Sequence, residues 1–367
     1  MSAIQIPLSA SMEITRRASE LSRQGKEVFT LSIGDTHFSP PVNIREKMNH
    51  LPQAYSHYTS GDGIPELRKL VADHYGNYEA SQVIVVPGLK QGLFYLMTVI
   101  EAQHVLVLEP AWLGYETIIS ICGKTPVSVN LKLPDWKEQV ANTRFDIILV
   151  CNPNNPDGRL FSVEELEFIR LQAEKQNAWI ISDEIYDRYI YSGETPSMQT
   201  IDNYSKLVRC AGLSKSHAMT GFRIGFLLSR DTALMRNLSA LNQNTATCTP
   251  AISQYLALEF ENALPEVQTF RDYYAENLKE TLKIFPEWSA FTPQGGFYFF
   301  VDLSIYGISD AEKFSSELLE NAFVAIVPGS AYGKGFDSWV RISISLDREK
   351  LTKALLLLKS FINQYKP

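Results

Sequence analysis

The sequence has few cysteines, no long apolar run and no excess of positive charge, and each absence narrows the range of functions. Its four cysteines are scattered and match neither a zinc motif nor a disulfide framework, which indicates reduced thiols and a cytoplasmic protein. The six histidines lack the spacing of metal ligands, so we expect no metal site. No apolar stretch is long enough to span a bilayer, and no signal peptide is evident. The net charge of −7 argues against nucleic-acid and anionic-membrane partners.

Short apolar runs alternate with helical patterns through the first two thirds of the chain. Continuous apolar strands separated by helices are typical of a mostly parallel sheet with helices on both faces. Ser162 and Glu165 form a capping-box pattern at the start of one such helix. The sequence therefore predicts an α/β fold, with buried strands at 83–86, 104–109, 145–151, 178–184 and 206–212.

The pattern changes near residue 270. Two segments, "GGFYFFVDL" and "WVRISIS", alternate like strands with one polar side, and "LTKALLLLKSFINQY" closes the chain as an amphipathic helix. We expect a large domain over 36–265 and a smaller α+β domain over 266–367. An N-terminal arm over 1–35 is expected to join the small domain.

Chemically useful residues follow each predicted strand of the large domain. Ligands of such sheets bind beyond the carboxyl ends of the strands. The five strand ends deliver glycine, an aromatic residue, asparagine, a carboxylate, tyrosine and lysine to one edge of the sheet. This combination indicates a cofactor site.

The stretch "GLSKSHAMTGFRIGF" places Lys215 after a buried strand and Arg223 eight residues later. A lysine acts as a covalent carrier only when its amine is partly deprotonated, and burial or a nearby cation lowers its pKa. Lys215 is therefore a candidate Schiff-base lysine, which requires a carbonyl partner. Pyridoxal phosphate is the common cofactor that supplies one.

The other strand ends match the needs of a pyridoxal ring. A buried carboxylate keeps the ring nitrogen protonated, and Asp183 suits this role, with a helix N-cap as the alternative interpretation. Asn155 and Tyr186 are placed to hydrogen-bond the phenolic oxygen. The alternative for Asn155 is a plain turn, because "NPNNPDG" is rich in turn residues.

A phosphate group needs backbone N–H groups at a helix N-terminus and a cation. Gly88, Leu89 and Lys90 offer the first and Arg223 the second. Trp112 can stack on the ring, although an isolated tryptophan is more often a core residue.

Several motifs together resemble the class I/II aminotransferase family of fold-type-I pyridoxal-phosphate enzymes. The resemblance covers nearly the whole chain. It rests on "CNPNNPDGRLFS", "ISDEIYDRYIY", "GLSKSHAMTGFRIGF" and "WVRISIS", in order and spacing, with support from "HYTSGDGIPELRKLVADHYG" and "VPGLKQGLFYLM".

The resemblance implies a seven-stranded type of sheet, pyridoxal phosphate as cofactor and a role for each motif residue. Lys215 would form the internal aldimine and then move a proton between the substrate's α carbon and the cofactor. Tyr58 would reach the phosphate of the neighbouring subunit's cofactor, so the active unit would be a homodimer. The catalytic residues would be Lys215, Asp183 and Tyr186, and the cofactor would bind to Gly88, Leu89, Lys90, Trp112, Asn155, Asp183, Tyr186, Lys215, Arg223 and Tyr58.

The resemblance also implies that Arg341, Gly34 and Asn155 bind the substrate. In "VRISIS", Arg341 lies on the polar strand face, where its guanidinium can bind a carboxylate through two parallel hydrogen bonds. The alternative is a structural salt bridge. Gly34 would leave room for the carboxylate to approach the backbone.

Two positions depart from the family pattern. Asp157 stands where the family usually has threonine, and because both residues suit turns we expect little effect on the chemistry. Gly212 stands where a phosphate-binding serine is usual, so one hydroxyl donor is missing, and Ser214 is not assumed to replace it.

The expected activity is ping-pong transfer of an amino group from an L-amino acid to a 2-oxo acid. A carbon–sulfur β-lyase shares nearly every motif and stays open as an alternative. A non-catalytic amino-acid or cofactor sensor is a third possibility, opposed by the complete set of site residues. No second arginine stands out as a clamp for a side-chain carboxylate. We therefore expect a neutral, aromatic or sulfur-containing donor, in a pocket lined by Phe38, Trp112, Phe297 and Tyr298.

Overall fold

The computed structural model of the protein describes residues 10–191 and 204–366. The strands are β1 (Phe29–Thr30), β2 (Val83–Val86), β3 (His104–Glu109), β4 (Thr125–Asn130), β5 (Ile147–Cys151), β6 (Trp179–Asp183), β7 (Leu207–Gly212), β8 (Gly225–Leu228), β9 (Tyr298–Asp302), β10 (Val324–Ala325), β11 (Val327–Pro328) and β12 (Trp339–Ser343). The helices are α1 (Ala10–Arg23), α2 (Val42–Lys47), α3 (Pro65–Tyr75), α4 (Leu89–Val99), α5 (Gly114–Ile121), α6 (Trp136–Asn142), α7 (Val163–Gln176), α8 (Thr232–Ala246), α9 (Ala251–Ala257), α10 (Leu264–Ile284), α11 (Ala311–Ala322) and α12 (Arg348–Gln364).

A seven-stranded sheet forms the centre of the molecule, in the order β2-β8-β7-β6-β5-β3-β4. Only β8 runs antiparallel to its neighbours, and the remaining pairs are parallel. The five predicted strands are all present, within two residues of the predicted bounds. The α/β fold class with a mostly parallel sheet is therefore confirmed.

Helices cover both faces of this sheet because neighbouring strand residues point to opposite sides. On β3, Val105 and Val107 pack into the apolar core beneath α4, α5 and α8. Leu106 and Leu108 on the same strand pack into a separate core beneath α6 and α7. The predicted capping box begins α7: Ser162 Oγ accepts a hydrogen bond from the Glu165 N–H, and the Glu165 carboxylate accepts one from the Ser162 N–H.

A second, smaller set of strands lies toward the C-terminal part of the chain. β11, β12 and β9 form an antiparallel sheet, and β1 pairs in parallel with β10. The β1–β10 pair ties the predicted N-terminal arm to the C-terminal region. A core rich in aromatic residues joins β9 and β12 to α10, α11 and α12. The domain boundaries given above stay a prediction.

The carboxyl ends of β3, β5, β6 and β7 meet at one edge of the central sheet, as do the residues that follow β2. A buried ion pair joins the end of β6 to the middle of β7: Arg209 on β7 donates to both carboxylate oxygens of Glu184, which directly follows β6, at 2.9 to 3.3 Å. No helix of the described residues is long and apolar enough to cross a bilayer. Those residues also contain no group of His, Cys, Asp and Glu side chains placed to hold a metal ion.

Candidate active site

A cavity of about 430 Å³ opens at the carboxyl edge of the central sheet. It brings together side chains from the strand ends, from the segment after β1 and from β12. The predicted site residues that line it are Gly34, Leu89, Lys90, Trp112, Asn155, Asp183, Tyr186, Lys215, Arg223 and Arg341.

Two predicted residues do not line the cavity. Gly88 lies just outside it as the N-cap of α4, with a φ of 84°, and a Cβ there would overlap the Arg223 guanidinium. Glycine at position 88 therefore lets Arg223 reach the start of α4. Tyr58 is 84% exposed and does not reach the cavity within its own chain.

Asp183 ends β6 and is almost fully buried. Its Oδ2 accepts a 2.7 Å hydrogen bond from the Tyr115 hydroxyl, and its Oδ1 accepts one from the Ile185 N–H at 3.2 Å. Burial raises the pKa of Asp183 to about 6, and the Glu184 charge adds to this, while the two hydrogen bonds and Lys215 oppose it. A cationic group placed against Asp183 would therefore favour its ionised form.

Lys215 lies three residues beyond β7, with its ammonium buried in the cavity. Its Nζ donates to the Gly34 carbonyl at 2.5 Å. Burial is the main cause that lowers the pKa of Lys215 to about 8. Arg341 and Arg223 lower it further, and Asp35 and Asp183 oppose them. The predicted effect of Arg223 is thus present but smaller than that of burial.

The start of α4 and Arg223 form a site suited to phosphate. The first N–H groups of α4, at Leu89 and Lys90, have no partner within the helix, so they can bind an anion together with the guanidinium. Ser214 is buried and lines the same cavity. At Gly212 a Cβ would lie 3.1 Å from Ile185 Cδ1, so a serine there would be crowded.

Arg341 projects from β12 and is buried among polar and aromatic neighbours. Its Nη2 donates to the Ser32 carbonyl at 2.6 Å and its Nη1 to Asn155 Oδ1 at 3.3 Å. The guanidinium lies over the rings of Tyr298 and Tyr332, at 4.3 and 5.2 Å from their centroids. Within residues 10–191 and 204–366 no carboxylate forms an ion pair with it, which argues against a structural salt bridge.

A chain of hydrogen bonds connects Arg341 to the tyrosines of the cavity. Asn155 Nδ2 donates to the Tyr186 hydroxyl at 3.3 Å, and the Tyr186 and Tyr298 hydroxyls are 3.1 Å apart. Burial raises the pKa of Tyr186 well above its usual value, so its hydroxyl stays protonated as a donor. A Cβ at Gly34 would lie 2.6 Å from the Tyr298 hydroxyl, so any larger residue there would have to displace Tyr298.

The predicted aromatic lining is partly wrong. Trp112 and Tyr298 line the cavity, but Phe38 and Phe297 do not. Phe38 stacks on Phe270 with ring centroids 4.1 Å apart, and Phe297 is fully buried in the same aromatic core. Residue type alone does not distinguish a pocket residue from a core residue here, because the core of the C-terminal region also consists largely of aromatic residues.

Tyr115 lines the cavity and bonds Asp183, but the sequence does not predict it as a site residue. It lies in the first turn of α5, three residues after Trp112, and contacts the edge of that indole ring. The available signal was its place on the helix that follows the β3 strand end. Thr15 of α1 and Ser32 also line the cavity without having been predicted.

The residues of the cavity fit pyridoxal phosphate at each of its polar groups. The N-terminus of α4 and Arg223 suit the phosphate, the buried Asp183 suits a protonated ring nitrogen, and the amine of Lys215 suits the aldehyde. Gly88 supplies the space that the Arg223 guanidinium requires.

The lowered pKa of Lys215 gives a direct prediction. In the ligand-free protein, the rate of Lys215 modification by an amine-acylating reagent should rise with pH and level off above about 8, because only the neutral amine reacts. An unperturbed lysine should keep rising toward about 10.4. Arg341→Met removes a cation that lowers the pKa, so the midpoint should move upward. Peptide mass spectrometry measures the extent of Lys215 modification in the wild type and in Arg341→Met, with exposed lysines of the same digest as reference. A Lys215 midpoint near that of the exposed lysines would contradict the burial argument.

Comparisons with known proteins agree with this geometry. The sequence model of the family described as aminotransferase class I and II matches residues 26–357. The aspartate aminotransferase of Thermotoga maritima is 33% identical, over 98% of each chain. The (5-formylfuran-3-yl)methyl phosphate transaminase of Methanocaldococcus jannaschii is 31% identical, over 96% of each chain.

A solved structure shows the same fold. The aspartate aminotransferase from Thermus thermophilus with maleate superimposes with a TM-score of 0.91 at 28% identity, covering 98% of this chain and 100% of that one. The enzymes of this family depend on pyridoxal phosphate. The chain therefore belongs to the class I and II aminotransferase family and is a pyridoxal-phosphate-dependent aminotransferase.

Proposed function

We propose that the chain transfers the amino group of an L-amino acid to a 2-oxo acid in two half-reactions, with Lys215 as the residue that bonds to the cofactor. Pyridoxal phosphate, when bound, supplies an aldehyde and an electron-withdrawing ring. The carrying observation is that Lys215 and Asp183 lie buried in one cavity, where burial lowers the pKa of the lysine and raises that of the aspartate. Lys215 is thus a base near neutral pH, able to take the proton from the substrate's α carbon.

The other predicted residues hold and orient the reactants in this proposal. Asp183 keeps the ring nitrogen protonated, and Asn155 and Tyr186 donate to the phenolic oxygen. Trp112 stacks on the ring. The N–H groups of Leu89 and Lys90, with Gly88 and Arg223, bind the phosphate.

Arg341 binds the substrate's α-carboxylate in this proposal. Among the described residues, its Nε has no hydrogen-bond partner and no carboxylate pairs with the guanidinium, so Arg341 keeps capacity for an anion. Asn155 holds the guanidinium from one side, and Gly34 keeps the approach open beside Tyr298.

The cavity can accommodate two classes of amino donor. We propose a neutral, aromatic or sulfur-containing side chain, which apolar and aromatic cavity residues such as Ile33, Leu113 and Tyr298 support. One observation favours a dicarboxylic donor instead: the Lys90 ammonium lies 5.3 Å from the centroid of the Trp112 ring at the cavity wall. Several relatives are also named aspartate aminotransferases.

Single-turnover absorbance with a donor panel decides between these classes. Phenylalanine and methionine should convert the cofactor to its amino form faster than aspartate, and a 2-oxo acid should restore the starting spectrum. Lys90→Met should change the rates with phenylalanine and methionine by no more than about twofold, since an exposed charge contributes little to the binding of an apolar ligand. A preference for aspartate that Lys90→Met abolishes would establish the dicarboxylic alternative. Release of pyruvate and ammonia from a β-substituted amino acid, without an oxo acid, would show β-elimination.

Tyr115 provides a test of the role proposed for Asp183. Tyr115→Phe removes a hydrogen bond that lowers the pKa of Asp183, so Asp183 should hold the ring-nitrogen proton less well. A lost hydrogen bond to a charged group is worth about 1.5–3 kcal/mol, or about 10- to 100-fold in the Kd for pyridoxal phosphate, measured by absorbance titration.

The matched control is Tyr95→Phe, which removes a buried hydroxyl that bonds Thr245 and Asn242 outside the cavity. A cofactor analogue with carbon in place of the ring nitrogen should lose less affinity to Tyr115→Phe. An equal loss for both cofactors would show that Tyr115 acts only on the structure.

We also propose a cytoplasmic homodimer with composite active sites, and a large cofactor-binding domain over 36–265. The four cysteines are free, which supports a reducing compartment. The exposed Tyr58 is available for a partner subunit, together with the exposed side chains of Met48 and Tyr55.

Subunit mixing tests the role of Tyr58 across the dimer. Lys215→Ala should be inactive, and Tyr58→Ala should be active only at high cofactor concentration. A mixture of the two should regain activity at limiting cofactor, because the Lys215→Ala subunit supplies Tyr58 to the intact Lys215 of its partner. Activity no higher than that of Tyr58→Ala alone would contradict the composite site. The mixture of wild type with Lys215→Ala is the control for subunit exchange.

A further inference from the structure

The turn after β5 contains a buried carboxylate where the family resemblance leads one to expect threonine. Asp157 Oδ1 accepts hydrogen bonds from Asn154 Nδ2 at 2.8 Å and from the Arg159 N–H at 3.3 Å. Asn154 Nδ2 also donates to the Pro110 carbonyl beyond β3. A threonine hydroxyl could accept at the Oδ1 position, but the second carboxylate oxygen introduces a charge that needs a partner.

Lys132 supplies that partner. Its Nζ lies 2.7 Å from Asp157 Oδ2, and no hydrogen bond from the described residues reaches this oxygen. The Asp157 side chain is only 4% exposed, whereas Lys132 is 37% exposed. A buried carboxylate is tolerated only when paired, so the ammonium of Lys132 compensates for the aspartate.

The same ammonium contacts the strand that carries Arg341. Lys132 Nζ lies 5.7 Å from the centroid of the Trp339 ring. Trp339 and Arg341 are two residues apart on β12, so their side chains share one strand face. Lys132 thus touches both the turn that carries Asn155 and the strand that carries Arg341, and those two side chains are hydrogen-bonded to each other at 3.3 Å.

We propose that Lys132 and Asp157 form a positioning pair that holds the Asn155–Arg341 contact in the orientation for carboxylate binding. Neither residue touches the substrate in this proposal. The expectation that Asp157 has little effect on the chemistry holds only while Lys132 is present. The inference rests on the proposed role of Arg341, and it predicts that Lys132 becomes dispensable when Asp157 is threonine.

Carboxylate binding in the cofactor-loaded enzyme tests the proposal. The probes are 3-phenylpropionate and succinate, which lack an amino group and cannot react, with Kd from calorimetry for whichever binds. Lys132→Met should raise the Kd of the probe about fivefold, because one displaced hydrogen bond contributes about 1 kcal/mol. It should raise the KM of the amino-acid substrate by a similar factor and leave kcat nearly unchanged. Lys132→Met/Asp157→Thr should return both values to near those of the wild type.

Two further variants separate the possible failures. Lys175→Met removes an exposed lysine of α7 and should change nothing. Arg341→Met should abolish probe binding; unchanged binding would overturn the proposed carboxylate site and this inference with it. If Arg341→Met weakens binding but Lys132→Met does not, or if the double variant stays weak, the inference alone is wrong.

The test remains decisive if Lys132→Met does not fold. Asp157→Thr and Lys132→Met/Asp157→Thr should then bind the probe equally, because Lys132 has no charge left to compensate. Weaker binding by Lys132→Met/Asp157→Thr than by Asp157→Thr would overturn the proposal.

Discussion

Burial of charged groups at one edge of the central sheet is the constraint on which the site depends. Removing a charge from water disfavours its ionised form, so burial alone raises the pKa of Asp183 and lowers that of Lys215. Some of the surrounding groups add to these two pKa shifts and others oppose them. The Tyr115 hydroxyl and the Ile185 N–H favour the carboxylate, while Asp35 and Asp183 partly restore the charge of Lys215. As a result, the pKa values of both groups lie closer to neutral pH than their ordinary values.

The topology of the sheet explains why these groups meet. Parallel strands end on the same side, so β5, β6 and β7 each deliver their next residues to one place. The Glu184–Arg209 ion pair holds the end of β6 against β7, although neither residue lines the cavity. Breaking such a pair would leave an uncompensated buried charge, so the pairing of β6 with β7 is tied to the stability of the fold.

The sequence predicted the elements whose signal is local. Continuous apolar runs identified β2, β3, β5, β6 and β7, because strands buried on both faces need no alternation. It did not predict β4, whose residues are mostly half-buried or exposed, or β8, a short apolar run beyond the lysine loop. Most of the site residues predicted from strand ends and motif resemblance line a single cavity. Tyr115 and Lys132 did not, since their partners Asp183 and Asp157 are distant in sequence and are brought close only by packing.

Arg341 shows why the class of reaction was easier to infer than the donor. A buried guanidinium without a carboxylate partner is costly, and its contacts with two carbonyl-type oxygens and two aromatic rings offset that cost only in part. In the proposed function, a bound α-carboxylate would supply the missing charge, so the cavity would select amino and oxo acids through a group that every such substrate shares. Discrimination between side chains would depend instead on weaker features of the cavity wall, including Thr15 of α1 and the exposed Lys90. These features lack a fixed residue pattern, because many combinations of apolar and charged side chains can line the same space.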